Sequence, residues 1–495
     1  MEVNPGRDEF LDLARLHPVV PVTARILADR ETPVSAYQKL VGDGPGFLLE
    51  SVEGGEQWGR WSFLGWDPLF TLVARSGKVT VEGEDSPAVD VDWDGTPLEI
   101  IQRVLSSLSA PDLEGLPPLH SGLVGYLGYD CVRYIEHLPD KPVDDRGLPE
   151  MLWHAAGSLA AYDRFSEVVT LVRNVRPGPD PGADWEAAVA ALDESSRRLG
   201  ASAPYRPRPA PRMTAVLDGQ YESTMDQPRF EAAVRSAKDY IRQGDAFQIV
   251  VSQRLATGYG GSPFDVYRAL RLINPSPFLF YVSHPEVAVA GSSPELMTRV
   301  RDGVVYSRPI AGTRRRGSSP AEDQALEEEM LADPKELAEH VMLVDLARND
   351  VGRVSEYGTV TVDELMAVER YSHVMHIVSG VSGKLRPGIG PVDVLRATFP
   401  HGTVSGAPKV RAMEIIDCLE PVARGPYAGA VGYLDLSGNV DTAICLRTVV
   451  MAKGTAWVQA GAGIVADSEP SAEYDETMSK AAAALTALRL AGDVG

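Results

Sequence analysis

The chain has 495 residues, 44% apolar and 23% charged, enough ordinary globular sequence for two large domains or three smaller ones. Its 69 Asp and Glu against 47 Lys and Arg leave a net charge of −22, which speaks against nucleic acid or an anionic membrane surface as partner, since both call for basic patches. No apolar run nears the roughly 18 residues of a membrane helix, MEVNPGRDEF lacks a secretory signal's basic stretch and apolar core, and Cys131, Cys418 and Cys445 lie too far apart for a disulfide framework or a clustered zinc site, so a cytoplasmic enzyme is expected.

Residues 15–200, expected to form a first domain, mix short strand-like runs with Gly/Pro turns: FLLESV at 47–52, LFTLVAR at 69–75 and VVTLVRN at 168–174. NVRPGPDPGAD at 174–184 reads as a loop before a short helical run. ASAPYRPRPAPRM at 201–213, rich in Pro and Arg, suits neither a regular helix nor a central strand and sets a linker at 201–215. A second domain then covers 216–495. Phe230, Val234, Ala237 and Ile241 recur at helical spacing, and Gly244 stops that helix. Phe247, Ile249 and Val251 alternate with Gln248, Val250 and Ser252, as in a half-buried strand. Asp333-Pro334 is an N-cap and first-turn signal for a helix with a Leu337, Val341 and Val344 stripe. The last helix carries Tyr474, Met478, Ala481, Leu485 and Leu488 in a 4-3-4-3 stripe. Helices and strands mix without a βαβ rhythm, which predicts an α+β fold with antiparallel sheets.

Two pairs of acids sit beside these stripes, Glu336 with Glu339 and Glu473 with Glu476. Either pair alone suits a solvated helix face. Together, without cysteine or clustered histidine, they suit hydrated Mg²⁺, which takes oxygen ligands and keeps several waters. PIAGTR at 309–314, FPHGTVSGAPK at 399–409 and GAG at 461–463 read as glycine loops that either turn the chain or let backbone N–H groups approach an anion. None has P-loop or dinucleotide-fingerprint spacing.

Eight ordered blocks carry a resemblance: GDAFQIVVSQR (244–254), GSSPEL (291–296), PIAGTRRRG (309–317), KELAEHVMLVDLARND (335–350), SHVMHIVSGVSGKL (372–385), FPHGTVSGAPKVRAMEII (399–416), GPYAGAVGY (425–433) and AGAGIVADSEPSAEYDETMSKAAA (460–483). With LLES at 48–51, they make nearly the whole chain resemble the chorismate-utilising enzymes, and within them the anthranilate synthase large subunits. The resemblance implies antiparallel β-sheets packed as a sandwich with surrounding helices. It implies one Mg²⁺ held chiefly by Glu339 and Glu476, with Glu336 and Glu473 acting through water. Arg447, in the strand-like TAICLRTVV, and Lys480 match the family's carboxylate binders; Gly312, Thr313, Tyr427 and the backbone of Gly461, Ala462 and Gly463 match the rest of its chorismate pocket. Glu295 matches the general acid, His376 a histidine linked to elimination, and Thr403 a hydroxyl near the departing oxygen.

Further positions bear on which reaction is implied. Relatives that add water carry a lysine where this chain has Gln248, and relatives that substitute at ring carbon 4 carry one where it has Ala311. Both differences favour ammonia attack at carbon 2 and the formation of anthranilate, the first step towards tryptophan. Product release at aminodeoxyisochorismate, or a non-catalytic tryptophan sensor, are the alternatives. Ser51 of LLES with Pro277, Phe278 and Leu279 of NPSPFLF match a tryptophan feedback site. The cysteine contexts match no amidotransferase elbow, so glutamine-derived ammonia implies a partner subunit, in a heterotetramer of two large and two small subunits.

Overall fold

The structure, a computed structural model, describes residues 1–51, 59–83, 91–202, 221–370 and 374–494. The linker expected at 201–215 lies outside the described residues from 203 onward. Two large sheets form the frame, and every strand pairing within them is antiparallel.

The first sheet runs Val3–Asn4, Val20–Leu27, Val168–Val175, Ser158–Asp163, Trp61–Trp66, Gly46–Glu50, Phe278–His284, Val287–Ser293, Thr448–Ala452, Thr455–Ile464, Gln248–Gly258 and Glu222–Ser223, with Gly406–Ala407 pairing beside Gln248–Gly258. The second runs Ile310–Arg315, Val374–Lys384, Val304–Ser307, Leu296–Arg301, Val440–Ile444, Ala430–Leu434, Leu123–Leu127, Met151–Ala155, Phe70–Arg75 and Lys78–Glu82, with Thr361–Arg370 pairing beside Val374–Lys384. The first sheet takes six strands from residues before 200 and seven from residues after 221, and the second takes four and seven. The halves meet at two strand pairs: Gly46–Glu50 with Phe278–His284, and Leu123–Leu127 with Ala430–Leu434.

The sheets face each other across one apolar layer. Phe47, Leu159, Phe280 and Val289 of the first meet Val124, Leu152, Val431 and Tyr433 of the second. Such a layer is the inner face of a sandwich, and burying it is the main favourable term in forming the fold. Helices close the outer faces. Pro33–Leu40, Pro181–Gly200, Pro263–Ile273 and the final Pro470–Val494 cover the first sheet. Pro97–Ser107, Pro334–Gly352 and Pro391–Thr398 cover the second.

Local signals explain where elements start and stop. Helix Gln227–Gln243 is capped by Asp226, which accepts from Arg229 N–H, and ends at Gly244 with φ 87°, a left-handed conformation that costs glycine little. Several expectations are corrected. The strand Gln248–Gly258 is buried on both faces over most of its length, and Phe247 lies outside it, 72% exposed, because this strand is central and covered on both sides. The helical run after residue 180 is 20 residues long, starting at Pro181 inside the expected loop. On Pro334–Gly352 the buried side chains are His340, Leu343, Val344, Ala347, Asp350 and Val351, while Val341 points outward.

Candidate active site

The chain passes from the first sheet to the second between Val287–Ser293 and Leu296–Arg301, and back again between Val440–Ile444 and Thr448–Ala452. Glu295 lies in the first crossover and Arg447 in the second. The crossovers are tied together: Ile444 N–H donates to Glu295 O at 3.1 Å, and Ser292 N–H donates to Arg447 O at 3.3 Å. Arg447, expected within a strand, instead sits between two strands with φ 47°. A left-handed non-glycine residue costs about 1–3 kcal/mol and marks a position fixed by its surroundings.

A cavity of about 260 Å³ opens at these crossovers, lined by Glu295, Thr403, Tyr427, Arg447, Gly461 and Lys480, with Thr313, His376 and Gly463 completing its wall. Burial pushes the Glu295 carboxyl up to about 7, against the charges of Lys480 and Arg447, and the Thr403 side chain lies in hydrogen-bond contact with this carboxyl. The pull of desolvation therefore wins, and the group can hold a proton near neutral pH. Arg447 is lowered by burial and supported by Glu295, and its Nη1 donates to Asn274 Oδ1 at 3.3 Å. Lys480 donates to Gly461 O at 3.1 Å and pairs with Glu476 at 2.6 Å. His376 Nδ1 donates to Gly312 O at 3.0 Å, with Thr313 Oγ1 also 3.1 Å away. That donation fixes the tautomer with its lone pair on Nε2, and burial lowers the ring's pKa so that it stays neutral.

The glycine stretches are not all loops. Gly461 and Gly463 lie within strand Thr455–Ile464, and Gly312 within Ile310–Arg315 at φ 60°. Their function is close approach: a Cβ on Gly461 would stand 2.7 Å from the Tyr427 hydroxyl, and one on Gly463 2.7 Å from Gln248 Nε2. Gln248 is brought beside the cavity in this way. Ala462 turns its side chain to the opposite face, among Phe230, Ile249 and Val251. Sequence reasoning missed two residues here. Gln459 lines the cavity; strand alternation with Gly461 and Gly463 was the available signal. His401 lies 3.5 Å from Glu295 Oε1, and nothing in FPHGTVSGAPK distinguishes it from a turn residue.

The four carboxylates near the cavity have the oxygen-only chemistry that Mg²⁺ takes. Glu339 on Pro334–Gly352 and Glu473 on Pro470–Val494 are both raised, first by burial, and each feels nearby acids, Glu473 among those acting on Glu339. Two carboxylates held at a cost across two helices fit a cation between them. Glu336, however, pairs with Arg314 at 3.0 Å and Glu476 with Lys480, and among the described residues no three His, Cys, Asp or Glu side chains converge. The donor chemistry fits Mg²⁺ with two protein carboxylates at most directly bound; the other two are engaged elsewhere.

A second cavity, of about 90 Å³, lies at the seam between the two halves of the first sheet. Register pairs Glu50 with Leu279, so Ser51 follows beside Phe278. Ser51, Pro277, Phe278 and Leu279 line this cavity together with Trp61, whose ring lies under the Arg60 guanidinium at 5.0 Å. The four residues, over 200 positions apart in sequence, are therefore neighbours.

The family model of the chorismate binding enzymes matches residues 46–486. The anthranilate synthase component 1 of Acetivibrio thermocellus is 44% identical over 495 residues, covering 99% of both chains. That of Mycobacterium bovis is 46% identical over 509 aligned positions, covering 99% of this chain and 97% of its own. Among solved structures, anthranilate synthase component I from Streptococcus pneumoniae superposes with a TM-score of 0.76 at 36% identity, over 92% of this chain and 98% of its own. The menaquinone-specific isochorismate synthase of Escherichia coli shares the fold, with a TM-score of 0.69 at 20% identity over 97% and 98%.

Proposed function

This chain belongs to the chorismate-binding enzymes, and from that premise we propose that it is an anthranilate synthase component I, converting chorismate and ammonia to anthranilate, pyruvate and water. The observation that carries this reading is the cavity at the crossovers: a buried carboxyl titrating near 7 beside two cations, Arg447 and Lys480, that suit the carboxylates of a dianion. Ammonia attacks ring carbon 2 while the carbon 4 oxygen leaves. Hydroxide is a poor leaving group, so Glu295 gives its proton to that oxygen, which departs as water, giving aminodeoxyisochorismate. Thr403 holds the departing oxygen. Removal of the carbon 2 proton and elimination of pyruvate then aromatise the ring. The neutral His376, with its lone pair on Nε2, suits the base of that step. Gln248 has no proton affinity for activating water, which favours an amine nucleophile.

Mg²⁺ held by Glu339 and Glu476, with Glu336 and Glu473 acting through water, would bind and polarise the ring carboxylate. This reading requires one change of partner, since Glu476 must leave Lys480. Ammonia would come from glutamine through a partner amidotransferase subunit, in a heterotetramer of two subunits of each kind. Burial raises the thiols of Cys131 and Cys445, and Cys418 is raised too, so none is the activated thiolate that glutamine hydrolysis needs. Tryptophan would inhibit at the seam cavity, its indole against Pro277, Phe278 and Leu279 and its polar end near Ser51.

The test is purified chain with chorismate and ammonium, with and without Mg²⁺ and with added tryptophan, read by anthranilate fluorescence. Anthranilate formed only with Mg²⁺ supports the reading. Aminodeoxyisochorismate as the end product would replace it with the shorter reaction, and no turnover would leave a sensor.

A further inference from the structure

His401 stands within reach of Glu295, and the reaction as read above gives it no part. It precedes the one-turn segment Gly402–Val404 and is 5% exposed. The backbone N–H of Thr403 points at its Nδ1, 3.4 Å away. Nδ1 therefore carries a lone pair, and the ring is the Nε2–H tautomer. Thr403 Oγ1 lies 2.9 Å from the same nitrogen. Between an acceptor nitrogen and a hydroxyl, the hydroxyl donates. The single proton of Thr403 is then committed to His401, and towards Glu295 the Thr403 oxygen is able only to accept. A carboxyl that faces an acceptor is favoured as COOH, and one that faces a donor is favoured as COO⁻. Glu295 Oε1 is buried without a hydrogen-bond partner and 3.5 Å from His401 Nδ1, too far for a hydrogen bond.

We propose that His401 is a positioning residue: by drawing the Thr403 hydroxyl proton to itself, it keeps Glu295 in the protonated form that proton donation requires. The inference rests on Glu295 as the general acid. Other groups set the balance that His401 tips. Lys480 of the final helix and Arg447 of the crossover favour ionised Glu295, as would Thr403 if its proton turned that way. Lys409 of helix Lys409–Leu419, itself paired with Asp350 at 2.7 Å, joins burial in lowering His401 to about 3, so the imidazole stays a neutral acceptor at working pH.

Infrared difference spectra of the full chain against Glu295→Gln, at the C=O band of the protonated carboxyl, give the midpoint of the Glu295 titration without turnover. His401→Leu frees the Thr403 proton to bond the carboxylate and is expected to lower that midpoint by about one pH unit, the size of one net hydrogen bond. His401→Asn, whose Oδ1 can take the place of Nδ1, is expected to keep the wild-type midpoint. If the leucine variant is unfolded by circular dichroism, His401→Ala takes its place. An unchanged midpoint after loss of the acceptor, or an equal shift in the asparagine variant, overturns the proposal. The pH profile of anthranilate formation, measured alongside, separates the two readings. A midpoint that moves as expected in a chain forming no anthranilate upholds the hydrogen-bond assignment and removes the reaction.

Discussion

At the Glu295 carboxyl, replacement by Gln keeps size and hydrogen bonding but removes the proton. Glu295→Gln is expected to lower kcat for anthranilate by about 10²–10⁴-fold, the usual worth of a general acid, with the thermal transition little changed. A loss below tenfold would leave Glu295 as a positioning group. Because burial raises this carboxyl to about 7, kcat/KM at constant free ammonia is expected to fall as pH rises through about 7. The same shift acts on stability. The folded value lies above the ordinary 4.5, so the neutral group's stabilisation is complete below about 4.5 and is lost as pH rises through about 7. A melting series from pH 5 to 8 in wild type and Glu295→Gln reads that difference: the wild type loses stability relative to the variant. The quoted blocks located Glu295, Thr403, Tyr427 and Lys480, TAICLRTVV located Arg447, and the structure gathers all five in one cavity. The kink at Arg447 was illegible because TAICLRTVV has the apolar, β-branched composition of one continuous strand. Only the second sheet, remote in sequence, makes the chain cross there.

Strand Thr455–Ile464 shows why glycine was misread at the scale of the element. GAG suggested a loop, since glycine weakens a strand, but in a central strand it admits a neighbour that a side chain would displace. Gly461→Ala places a Cβ 2.7 Å from the Tyr427 hydroxyl and 3.0 Å from Val251 O. Overpacking of this kind costs about 1–3 kcal/mol. The variant is expected to melt several degrees lower and to raise KM for chorismate more than it lowers kcat; an unchanged KM would mean Tyr427 does not shape the cavity. The helices were legible from caps and stripes: Asp333 caps Pro334–Gly352 through Lys335 N–H as its sequence suggests. Which helix faces converge was not, since one helix's periodicity says nothing about its neighbour's rotation. That is why Glu339 was readable as an acid near the site and the engagement of Glu336 with Arg314 was not. Glu339→Gln is expected to raise the Mg²⁺ concentration for half-maximal turnover, measured by metal titration after chelation, by tenfold or more, as loss of a charged ligand should.

Across the whole molecule, α+β character and antiparallel pairing were visible in the rhythm of the sequence, whereas the sharing of both sheets between the early and late chain was not. Long-range register leaves no local trace: Glu50 opposite Leu279 is a pairing over more than 200 residues. The seam cavity follows from it. Anything bound there touches both halves, so it can inhibit only by favouring an arrangement of the seam in which chorismate binds less well, and chorismate must weaken its binding by the same factor. Ser51→Phe is expected to fill this cavity and raise the tryptophan concentration for half inhibition by at least tenfold, measured with the standard fluorescence assay. Equal sensitivity in variant and wild type would take tryptophan out of this cavity. The two seams also shape the chain's history on the ribosome. Gly46–Glu50 and Leu123–Leu127 emerge early, yet the second must wait for Ala430–Leu434, about 300 residues later, or about 15–60 s at 5–20 residues per second. Until Phe278–His284 and Ala430–Leu434 respectively are made, each keeps an open edge, the kind that pairs with whatever strand comes by, including the same strand on the next ribosome. Translation stalled near residue 200 should therefore leave a fragment that clumps rather than folds.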